Sequence, residues 1–169
     1  MEAHFEVSVQ TWKRMVSSAE YVFQVYLLNV RLGQILENKP HKYKTNYVDE
    51  IIKTALGALE DVLASDSIYL SKFSLEQDFL IRRRHLQDAK AKIRSVSTSS
   101  FVFLETVKKQ SCSIQEYAEE FRNGNLKMSH QELEIGDMCE TCERLISGVL
   151  RSDKELYDEH IRPVKHSRS

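Results

Sequence analysis

The sequence predicts an all-α protein, an antiparallel up-down four-helix bundle with a short extra helix before the last long one. Three observations carry this. Apolar residues recur at three- and four-residue spacing through four long segments. Only two prolines and five glycines occur among 169 residues, so little of the chain is turn. Three of the long segments are joined by short polar loops, which set neighbouring helices antiparallel.

The first helix is predicted from about Ser8 to Asn38, with a seam of Val9, Trp12, Val16, Ala19, Phe23, Tyr26 and Val30. Pro40 and the polar run 41–46 end it. The second spans about Tyr47 to Leu70, with its apolar face on Val48, Ile52, Ala55, Leu59, Val62 and Leu63. The third runs from about Leu75 to Lys109, with its apolar face on Leu75, Phe79, Leu86, Ala89, Ile93, Val96, Leu104 and Val107. Its Ser95–Ser100 stretch has poor helix propensity, because hydroxyls compete for backbone partners, but the apolar face stays in phase on both sides. A short helix over about Ser113 to Arg122 stops at Asn123-Gly124-Asn125.

The last long helix covers Met128 to Asp153. Ile135, Met138, Cys139, Cys142, Leu145, Ile146 and Val149 share one face, and Ser129 with Glu132 forms a capping-box pair at its start. Gly136 and Gly148 each cost a helix interior about 1 kcal/mol relative to alanine. Close approach of a neighbouring helix is one reason to accept that cost, and fraying near a helix end is the other. Residues 1–153 form the predicted domain, and 154–169 a polar, partly disordered tail.

Composition is that of a soluble globular chain: 41% apolar, 29% charged, net charge −1. No run approaches the ~18 apolar residues of a membrane span. The N-terminus lacks a basic stretch followed by an apolar one, and three cysteines do not make a secreted disulfide framework, so the expected location is cytoplasmic.

Hairpin geometry predicts that Asp66 and Arg82 lie opposite each other on their helices' seams, where they pair or the seam opens to water. Charge is unevenly distributed. From Arg82 to Lys109 there are eight basic residues and two acids; from Lys127 to His160, four basic residues and nine acids. At 100° per residue, Arg83, Lys90, Arg94 and Lys108 fall within roughly 40° of one another, in a ribbon on the order of 35 Å long, with Phe101 inside it. Such a stripe suits a phosphate backbone, and its aromatic suits a base. The competing reading is attraction between the basic third helix and the acidic last helix within one bundle.

Enzymatic patterns are missing. There is no Gly-rich phosphate loop, no Gly-x-Ser-x-Gly and no His-Glu-x-x-His. The residues three before the six histidines are Met1, Asn38, Arg82, Lys127, Tyr157 and Pro163, so a Glu-x-x-His di-iron set does not exist. Cys139-x-x-Cys142 has no second ligand pair and no βαβ context, and its cysteines fit the apolar face as small packing residues. No catalytic residue, metal ligand or cofactor is expected.

Four features together resemble the accessory variability determinant (Avd) family of diversity-generating retroelements. These are Trp12 followed by Ala19-Glu20-Tyr21-Val22-Phe23; Thr54-Ala55-Leu56-Gly57-Ala58-Leu59-Glu60-Asp61 with the exit Ser67-Ile68-Tyr69; an arginine cluster opening the third helix through Leu86, Ala89 and Ile93; and Ile135-Gly136-Asp137 followed by the run Arg144 to Asp153. The resemblance covers about residues 8–153. It implies a non-enzymatic four-helix protein of bacteria or phages that assembles as a ring, typically a pentamer. It also implies binding to a reverse transcriptase and its template RNA or cDNA in support of mutagenic cDNA synthesis. Carried onto this chain, it makes Arg82, Arg83, Arg84, Lys90, Arg94 and Lys108, with Phe101, the expected nucleic-acid contact. The slightly acidic net charge departs from the family's strongly basic members. Residues 113–125 and the tail look like additions to the core pattern. The alternatives are a helical protein–protein adaptor that binds no nucleic acid, similar to the ribosomal intervening-sequence bundles, and a thiol or metal enzyme using Cys139 and Cys142.

Overall fold

The computed structural model describes residues 19–39 and 47–161. Among these there is no strand. The helices are α1 Glu20–Leu36, α2 Asp49–Asp66, α3 Glu76–Lys108, α4 Ile114–Arg122 and α5 His130–Leu156, followed by a π-helical turn, Tyr157–Ile161. Positions 8–18 of the first predicted helix, Trp12 among them, lie outside the described residues, as do 40–46 and 162–169.

The four long helices enclose one core. α1 packs against α2, α2 against α3, α3 against α5, and α5 against α1. Val22, Val25, Leu28 and Leu32 of α1 meet Ala55, Ala58 and Val62 of α2, Leu86, Ala89, Ile93 and Phe103 of α3, and Ile135, Cys139, Cys142 and Ile146 of α5. The alanines of α2 and α3 let these two helices approach closely, whereas the β-branched and leucine side chains of α1 fill the space between them.

Helix ends follow local chemistry. Ser129 Oγ accepts from the Glu132 N–H at 3.3 Å and the Glu132 carboxylate accepts from the Ser129 N–H, the reciprocal box expected at the start of α5. Ser113 and Glu116 make the same box for α4, at 3.3 and 2.9 Å. The end of α4 is a Schellman turn. Gly124 sits at φ +68°, with Asn125 N–H bonded to Glu120 O and Gly124 N–H to Phe121 O. α3 runs unbroken through Ser95–Ser100, so the phase of its apolar face outweighs its weak propensity.

The structure corrects several expectations. Ala19 is extended, at φ −78° and ψ 126°, so no helix runs through it into α1. α2 ends at Asp66 rather than Leu70, because the Ser65 and Ser67 hydroxyls bond back to Val62 O and Ala64 O and the chain turns. Leu75, placed on the core face, is 68% exposed at the N-cap of α3. α5 continues past Asp153 into the expected tail. Tyr157 stacks on Phe79 with ring centroids 4.3 Å apart, and its hydroxyl donates to Glu76 at 2.7 Å. Of the two outcomes expected for Asp66 and Arg82, pairing does not occur and the seam instead opens to water at Asp66, which is exposed and accepts from the Tyr21 hydroxyl at 3.3 Å, while Arg82 reaches α5.

The α1 seam is the largest correction. Its buried positions are Tyr21, Val22, Val25, Leu28, Leu32, Ile35 and Leu36. Phe23 and Tyr26 are half-buried and Val30 is 42% exposed. α1 is apolar around much of its circumference, so spacing alone did not choose between its faces.

Candidate nucleic-acid interface

Helix α3 carries the predicted ribbon, and its geometry pins most of that ribbon to α5. The two helices pair end to end along their length. Near the start of α3, Arg82 Nε bonds Asp153 Oδ2 at 2.7 Å, with both side chains largely out of water. About two turns along, Lys90 Nζ donates to Ser147 Oγ at 2.7 Å. Arg94 Nε then meets Glu143 Oε2 at 2.6 Å. At the far end, Lys108 Nζ is ion-paired with Glu105, lies 3.1 Å from Glu132 Oε2, and donates to Lys127 O at 2.9 Å. Burial pulls the Lys108 ammonium down, but the hydrogen bonds to Glu105 and Glu132 prevail and hold its pKa above the ordinary lysine range.

Two of the predicted contacts remain outside this zipper. Arg83 is exposed, and no described residue bonds its side chain. Arg84 is 85% exposed and makes only a long 3.9 Å contact with Asp88, one turn on. Both stand at the N-terminal end of α3. Arg94 is tied to Glu143 yet keeps 64% of its side chain in water. Phe101 is half-buried between two clefts, not displayed for stacking. The structure therefore leaves Arg83 without a bond to any described residue and Arg84 with only its contact to Asp88, and turns Arg82, Lys90 and Lys108 inward or across to α5.

Sequence reasoning did not find the other inter-helix ties. Asp61 of α2 takes Lys92 Nζ at 2.7 Å and stands 3.2 Å from His85 Nδ1. Arg31 of α1 forks onto Glu134 of α5, with both N–H···O distances at 2.8 Å. The hydrogen bond to Arg31 draws the Glu134 pKa below the usual carboxylate range. Partners 24 to 103 residues apart in sequence leave no local signal.

The cysteine motif resolves into packing. Cys139 and Cys142 are buried in the core, where desolvation pushes both thiols up to about 12. Such thiols hold no appreciable thiolate at neutral pH. Gly136 and Gly148 have nothing within 4 Å of where a Cβ would stand, so close helix approach does not account for either. Both lie inside α5, away from a fraying end. Among the described residues no helix is long and apolar enough to cross a membrane.

The chain matches no family model, no curated protein and no solved structure.

Proposed function

We propose that this protein is a non-enzymatic scaffold subunit of a diversity-generating retroelement. In this reading it is a cytoplasmic up-down bundle that assembles as a homo-oligomeric ring, a pentamer by resemblance, and holds the reverse transcriptase and its template RNA. Antiparallel order is supported by the pairings: Tyr21 with Ser65, Arg31 with Glu134, and Arg82 with Asp153 against Lys108 with Glu132 each join the start of one helix to the end of another.

One observation carries the assembly. Apolar side chains stay exposed on the outward faces of α1 and α2. Val30 on α1 and Leu56 and Leu63 on α2 are 42%, 47% and 39% exposed. Ile52 and Leu59 of α2 are only partly buried against the core and lie on the same side of that helix as Leu56 and Leu63. Exposed apolar positions on a helical subunit suit an interface with another protein surface. Native mass spectrometry of the purified protein tests this. A homo-oligomer is expected that falls to monomer in the double variant Leu56→Glu, Leu63→Glu with helicity retained. A wild-type monomer at micromolar concentration contradicts the ring.

The adaptor reading has its own support. Four of the expected contacts, Arg82, Lys90, Arg94 and Lys108, are spent within the bundle on Asp153, Ser147, Glu143 and Glu132, which leaves little cationic surface for phosphate. The two readings part on RNA binding through Arg83 and Arg84.

A further inference from the structure

The turn between α2 and α3 shows its aromatic side chains to solvent. Tyr69 is 86% exposed and Phe73 82%, and no other aromatic ring among the described residues is as exposed. Leu75 and Leu80, which follow in the chain, are exposed as well. Exposed apolar clusters of this kind mark interaction surfaces. The backbone that carries the rings is held in place. Ser71 N–H donates to Ser74 Oγ at 2.8 Å, Phe73 N–H to Ser71 Oγ at 3.2 Å, and Ser74 N–H to Ser71 O at 3.0 Å. Arg82 Nη1 holds the carbonyl of Ile68, the residue before Tyr69.

Cations accompany the rings. The Lys72 ammonium lies over one face of Phe73, 5.0 Å from the ring centroid. Arg83 bonds no described residue, and Arg84 has only its long contact with Asp88. Leu80, three and four residues before these arginines, shares their face of α3, so apolar surface reaches the charges. Other acids of this end are engaged by hydrogen bonds. Asp78 accepts from the Leu75 N–H, Glu76 from the Tyr157 hydroxyl and Asp66 from the Tyr21 hydroxyl. From the first residue of α3 to Arg83 the helix rises only about 10 Å.

We propose that this turn is a stacking platform for unpaired nucleotides. Bases lie on Phe73 and Tyr69, and Lys72, Arg83 and Arg84 take the phosphates. Flat rings beside spaced cations match the alternation of base and phosphate along a single strand. In a duplex the base faces are already stacked on one another, so the rings have nothing to grip. The inference rests on the RNA-binding reading above and adds the state of the RNA, which is single-stranded or looped. It also moves the aromatic contact from half-buried Phe101 to the turn.

Fluorescence anisotropy of the full-length protein at about 50 mM salt tests it, with a labelled single-stranded RNA and a duplex of the same length. The single strand is expected to bind at least about tenfold more tightly, and the double variant Tyr69→Ala, Phe73→Ala to lose about that factor. Duplex binding and salt dependence should not change in this variant, because the arginines remain. Tyr69→Trp, Phe73→Trp should bind the single strand at least as tightly as wild type. Equal binding of the two RNAs by wild type overturns the platform and leaves the Arg83–Arg84 contact standing. So does a folded double alanine variant that binds the single strand as wild type does. Loss of binding to phosphatidylserine vesicles in that variant, with RNA binding kept, makes the turn a lipid contact and overturns the platform too. No RNA binding by wild type overturns both readings.

Discussion

The guanidinium of Arg82 bonds three parts of the chain at once. Nε takes Asp153 of α5, and Nη1 takes the carbonyls of Ser65 and Ile68 at 2.8 and 3.0 Å, where α2 has run out of helical partners. The side chain is 13% exposed and that of Asp153 11%. Removing the cation leaves a largely buried carboxylate and two carbonyls unsatisfied. Arg82→Met is therefore expected to lose about 3 kcal/mol in urea unfolding, whereas Arg83→Met stays within about 0.5 kcal/mol. Equal, small losses at both positions would show that Arg82 is a surface charge. The sequence marked Arg82 as a charge on an apolar seam that needed a partner, and that was right. It named Asp66 because hairpin arithmetic sees only the next helix. The true partner lies 71 residues on, where no local spacing reaches.

At the scale of elements, periodicity was most informative where a helix has one apolar face and one polar face. α5 is such a helix: Ile135, Cys139, Cys142 and Ile146 are buried as their spacing requires, and its start was marked by Ser129 and Glu132. α1 is not. Phe23, Tyr26 and Val30 recur as regularly as Val22, Val25 and Leu32, so two seams competed, and the buried one was not the one chosen. The glycines of α5 were legible as exceptions, but their reason was not. Gly148 has no neighbour for a Cβ to meet. Gly148→Ala should therefore raise stability by about 1 kcal/mol through helix propensity alone, read as a higher melting temperature. A lower melting temperature would reveal a contact that the bundle does not contain.

For the whole molecule, the charge asymmetry seen in the sequence closes the bundle, because the basic residues of α3 face the acids of α5 at Arg82–Asp153, Arg94–Glu143 and Lys108–Glu132. Arg83 and Arg84, at one end of α3, stand outside these ties and carry the proposed RNA contact. That division was not legible beforehand, since a helical wheel places residues on a face but does not say which helix that face meets. RNA binding in this account is local and modest, as suits a scaffold whose net charge is −1.

The most direct measurement is fluorescence anisotropy of a labelled, structured RNA titrated with purified protein between 50 and 200 mM salt, values of ~50 and ~200 mM being those over which phosphate contacts weaken most visibly. The account predicts binding that weakens steeply with salt and disappears in Arg83→Glu, Arg84→Glu, with helicity and melting temperature unchanged. Binding that survives this double reversal, or no binding by the wild-type protein at the lowest salt, would contradict it.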